Sequence, residues 1–71
     1  MTRKDKEEFD IMKSDAYFAD GAYALYGGGW RKEDIDDLIY EHNMTKEEAE
    51  KYCKFFELLE KEIKEKNNEQ N

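Results

Sequence analysis

Residues 24–39, ALYGGGWRKEDIDDLI, hold most of the side chains whose type and spacing could do chemistry in this chain. Gly27, Gly28 and Gly29 precede the only tryptophan, Trp30, and the acids Glu33, Asp34, Asp36 and Asp37 follow closely. A glycine run can cradle a phosphate, but a phosphate loop ends in Gly-Lys-Ser/Thr and a dinucleotide fold spaces its glycines Gly-x-Gly-x-x-Gly after a strand. Neither pattern is present, and Asp34, Asp36 and Asp37 would repel the anion. The acids suggest calcium, yet an EF-hand loop begun at Asp34 puts Ile39 where glycine is required and Thr45 where the bidentate Glu belongs. Such acids at a helix start serve instead to stabilise the positive end of its macrodipole. Cys53 and His42 are each the only residue of their type, too few for a closed zinc site, and they fall on different predicted helices. With hydroxyls only at Thr2, Ser14 and Thr45 among serines and threonines, no nucleophile and base pattern emerges. Neither an enzyme nor a cofactor or metal site is expected.

The elements that position these residues are helices. The chain has no proline and is rich in Glu, Lys, Ala and Leu, so all-α structure is expected: a small bundle of three or four helices with a long C-terminal one. Residues 1–66 form a single helical domain in this reading, and 67–71, which carry no apolar residue, a disordered tail. A first helix from about residue 4 carries Phe9, Ile11 and Met12, and Ser14 is placed to cap a second. One rod or two pieces are both compatible with residues 4–26. Phe18, Ala22, Leu25 and Tyr26 then share a stripe, with Tyr23 on its rim and Tyr17 pointing away. The glycines end that helix, and Trp30 folds over the joint as an anchor.

A third helix over about 31–42 turns Ile35, Leu38, Ile39 and His42 to one face and Asp37 and Glu41 to the other. Asn43 suits a left-handed turn, and Thr45 with Glu48 is a capping box for the last helix. Its core stripe is Ala49, Tyr52, Cys53, Phe56, Leu59 and Ile63. Phe55 lies on the flank and Leu58 roughly opposite the stripe, so both are expected at the surface.

The net charge of −7 belongs to the middle of the chain, because residues 14–60 hold twelve acids and five bases while both ends are neutral. Such a field repels nucleic acid and anionic membranes and favours a basic partner. No apolar run approaches the roughly 20 residues a bilayer span needs. The N-terminal MTRKDKEEFD shows no apolar signal region. One cysteine fits a reducing cytoplasm, which is the expected location.

Residues 37–53, DLIYEHNMTKEEAEKYC, resemble a helix-turn-helix unit through Leu38, Ile39, Asn43, Met44, Thr45 and Ala49. That resemblance implies a second helix presenting Lys46, Glu47, Glu48, Glu50 and Lys51 to a major groove. A DNA-binding regulator is thus the alternative function, although the acidic middle disfavours direct nucleic-acid contact. Ten aromatic residues exceed what so small a core needs. Tyr17, Tyr23, Tyr40, Phe55 and Leu58 fall outside the stripes and read as contact residues. The leading expectation is a protein-interaction module that docks a basic, nucleic-acid-binding partner. Asp34, Asp37, Glu41, Glu47, Glu48 and Glu50 supply its field and Tyr17, Tyr23, Trp30 and Tyr40 its anchors. Small acidic DNA-mimic inhibitors of phages and mobile elements are similar in size and charge. Self-association through Phe55 and Leu58 is the further alternative.

Overall fold

The computed structural model describes residues 1–69 and contains α1 (Arg3–Ser14), α2 (Ala16–Gly27), a short 3-10 turn (Lys32–Asp34), α3 (Ile35–Glu41) and α4 (Lys46–Glu69). It is an all-α bundle with a long C-terminal helix, as the composition implied. The stretch 4–26 is two helices. Ser14 does not cap the second: its hydroxyl donates to the Ile11 carbonyl at 2.6 Å, while the Asp15 carboxylate accepts the Phe18 N–H at 3.2 Å. Asp is as good a cap as Ser, and Asp15 is the residue with extended backbone, at φ −84° and ψ 90°. α4 continues past the expected end of the domain at Lys66 to Glu69; Gln70 and Asn71 of the expected disordered tail lie outside the described residues.

α4 is the spine, touched by α1, α2, α3 and the 3-10 turn, and this decides which of its residues are buried. A helix covered from several sides needs an apolar arc wider than one stripe. Phe55 and Leu58, expected at the surface, are accordingly fully buried. The Phe55 ring lies 5.2 Å from Phe9, 5.7 Å from Phe18 and 5.2 Å from Tyr23, so α1 and α2 close over it. Phe56 meets Tyr26 at 6.1 Å. Conversely Ile63, in phase with the core stripe, is 40 % exposed, because Leu59 one turn earlier is the last fully covered residue of that stripe. Ile11 is exposed on α1, leaving Phe9 as that helix's buried residue.

The polar joints follow the sequence closely. Trp30 N–H donates to the Leu25 carbonyl and Gly29 N–H to that of Tyr26, both at 3.1 Å, the paired bonds of a Schellman stop. Gly29 supplies the positive φ of 100° that this stop requires. Asn43 takes the left-handed turn at φ 54°. Thr45 and Glu48 form the reciprocal capping box, each side chain accepting the other's backbone N–H, at 3.3 and 3.1 Å.

At the other end Lys61 donates to Asp5 at 3.2 Å and the Met1 amino group pairs with Glu65, tying the chain start to α4. The hydrogen bond from Lys61 holds the Asp5 carboxyl below its ordinary value, and the same bond raises Lys61. The Asp5 contribution is therefore present above the unfolded carboxyl range and lost as acid takes pH through the lowered folded value. That of Lys61 is present below its unfolded value and lost only as pH rises through the higher folded one. This tie holds throughout the neutral range. Among the described residues no helix is long and apolar enough to cross a membrane.

Candidate partner-binding surface

Trp30 leaves the Schellman stop half-buried and packed against the core. Around it Gly28, Gly29, Asp34, Asp37 and Glu41 complete a shallow cleft of about 220 Å³. Spacings of three and four bring the three carboxylates to one face of the 3-10 turn and α3. Asp34 is fixed by accepting the Arg31 N–H at 2.9 Å. Like charges at these spacings cost a helix about 0.2–0.5 kcal/mol per pair. Glu41, in the last turn of α3, also sits at the negative end of the helix dipole, where an acid is disfavoured. Asp37, in the first turn of α3, sits by contrast at the favourable positive end of that dipole, which offsets part of this repulsion.

Ion pairing sharpens this asymmetry. Among the described residues, every ion pair is made by residues 1–13, Arg31 or residues 57–66. Residues 32–56 hold eight carboxylates, Glu33, Asp34, Asp36, Asp37, Glu41, Glu47, Glu48 and Glu50, against four lysines. None of these carboxylates has a cationic partner among the described residues. Glu47, Glu48 and Glu50 are exposed on the first turns of α4, Glu48 being occupied in its capping box.

Of the expected anchors, the structure brings Trp30 together with Asp34, Asp37 and Glu41. Tyr40, 85 % exposed, stands on the same short helix as Asp37 and Glu41. Tyr17, 93 % exposed, and Tyr23 lie on α2, which makes no contact with α3, and they do not line the cleft. Tyr23 is partly committed to the core through its edge-on contact with Phe55. Phe55 and Leu58 are interior and offer nothing to a partner.

Two residues outside those expectations shape the cleft. Arg31 stacks its guanidinium 3.7 Å over the Tyr26 ring and donates to the carbonyls of Tyr26 and Trp30 at 2.9 and 2.7 Å. Its Nε also lies 3.5 Å from Glu60 of α4. A base just past a helix C-terminus is the sequence signal for this clasp. Arg31→Ala is expected to lower stability by about 1–2 kcal/mol and to change Trp30 emission, both read in one urea titration. A variant unchanged in both respects contradicts the clasp. His42, exposed at the C-terminal cap of α3, meets the Trp30 ring edge-on with centroids 5.0 Å apart. Burial first, then the carboxylates of Asp34, Glu33 and Glu50, push the Cys53 thiol up, so it stays protonated at neutral pH.

The architecture thus defines a small all-α bundle in which three carboxylates line a cleft beside a partly exposed tryptophan. No protein-family model, curated protein sequence or solved structure matches the chain.

Proposed function

We propose that this protein is a non-enzymatic interaction module that docks a basic partner on the face formed by the 3-10 turn, α3 and the start of α4. The observation that carries this reading is the run of carboxylates without cationic partners among the described residues over 32–56, three of which, Asp34, Asp37 and Glu41, share a cleft with Trp30. A lysine or arginine entering the cleft would meet carboxylates and an aromatic ring together, the two environments that stabilise a desolvated cation. Tyr40 provides a further exposed aromatic on α3. A partner that ordinarily binds nucleic acid has the required basic groove, and occupying it would make this protein an inhibitor of the DNA-mimic kind. A reducing compartment such as the cytoplasm suits the free thiol of Cys53.

The test is capture from a host lysate with tagged protein in moderate salt, identification by mass spectrometry, and re-measurement of binding with both proteins purified. One basic nucleic-acid-binding protein, released by salt and rebinding in pure form, is the expected result. Recovery of duplex DNA instead favours the helix-turn-helix reading, and recovery of the chain alone favours self-association through a surface other than Phe55 and Leu58.

A further inference from the structure

We infer that His42 is a protonation-controlled gate on Trp30, weakening the docking of a basic segment when its imidazole is charged. The inference rests on the docking reading above and adds its regulation. His42 is held at the end of α3 by its backbone N–H, which donates to the Leu38 carbonyl at 3.2 Å. Its ring stands at 74° to the indole in a T-shaped contact with centroids 5.0 Å apart. The chain has one histidine and one tryptophan, and the fold brings their rings together; Trp30 lines the acidic cleft, and His42 directly follows Glu41, which lines it too.

Imidazole is the side chain whose charge ordinarily changes between about pH 5 and 8. Once protonated it offers Trp30, Asp37 and Glu41 the same thing that a partner's lysine or arginine would offer, a cation at the ring beside carboxylates. An internal cation at that position lowers the attraction for an external one. The charged and titratable groups of the surrounding elements are Lys32, Glu33 and Asp34 of the 3-10 turn, Asp36, Asp37, Tyr40 and Glu41 of α3, and Lys46, Glu47, Glu48, Glu50 and Lys51 at the start of α4. Arg31 is committed to Tyr26, Trp30 and Glu60. Carboxylates ordinarily change charge below the imidazole range and lysines and tyrosines above it, and His42 is the one imidazole of the chain. One added charge at a separation of about 5–6 Å in a surface environment corresponds to a change in affinity of about threefold at low salt.

Two measurements on the full chain test this. Trp30 emission is followed from about pH 8 to about pH 5.5 in the native protein and in His42→Gln. A sigmoidal change in the native protein that disappears in His42→Gln is expected; a native profile without a transition overturns the gate. A hexalysine peptide is then titrated into both proteins at about pH 8 and about pH 6 in low salt, with binding read from Trp30 emission. The native protein should bind about threefold more weakly at the lower pH, and His42→Gln equally at both. Binding of equal affinity at both pH values in the native protein overturns the gate and leaves the docking reading standing. No binding by the native protein at either pH overturns the docking reading, and the gate with it.

Discussion

Phe55→Ala should leave the protein largely unfolded at room temperature. The ring is fully buried and meets Phe9, Phe18 and Tyr23 within 5.7 Å, so three elements lose their shared contact when it goes. Truncating a buried phenylalanine costs about 3–5 kcal/mol, part of it from the cavity left behind. A core of this size rarely supplies more than about 3–5 kcal/mol in all, so the loss consumes most or all of the stability. Far-UV circular dichroism through a urea titration reads the effect directly. A native-like transition displaced by less than about 1 kcal/mol would falsify the central position of Phe55. Tyr17→Ala is the matched control: that ring is 93 % exposed, and removing it should change stability by no more than about 0.5 kcal/mol.

Reversing Asp37, Glu41 and Glu47 together to lysine should abolish binding to a basic partner while the bundle stays folded. Asp37 and Glu41 line the Trp30 cleft, and Glu47 is exposed on the first turn of α4. The three changes bring the net charge from −7 to about −1 and place cations where the partner's own would dock. Like charges opposed across an interface cost several kcal/mol, so affinity should fall by about 100-fold or more. Stability should fall by about 1–2 kcal/mol, because Asp37→Lys and Glu47→Lys place cations in the first turns of α3 and α4, where the dipole favours the acids. Glu41→Lys offsets part of this by placing a cation at the end of α3, and none of the three carboxylates makes an ion pair among the described residues. The two readouts separate the causes: lost binding with intact helix content supports the electrostatic face, whereas undiminished affinity removes it. A variant that unfolds would instead show that these carboxylates support the bundle.

How far local chemistry carries can be seen at the joints. The Schellman stop at Gly29, the left-handed Asn43 and the Thr45–Glu48 capping box were all legible, because each depends on residues within six positions of one another. So was the all-α class, since a chain without proline and rich in helix formers has few alternatives. The shared face of Asp37 and Glu41 was equally legible, being a matter of helical spacing, while the structure adds Asp34 to them.

What helical phase could not decide was how many neighbours each helix has. Leu58 lies outside the Ala49–Phe56 stripe, and nothing local says that α1, α2, α3 and the 3-10 turn all pack on α4 and that Leu58 is fully buried. Ile63 is the converse, in phase with the stripe yet 40 % exposed beyond Leu59. Arg31 and His42 share this dependence: their roles rest on the Tyr26 ring, Glu60 and Trp30 being carried to them by packing. Capping, turn chemistry and charge are short-range properties and can be read along the chain. Burial belongs to the assembled surface, and only the tertiary structure assigns it.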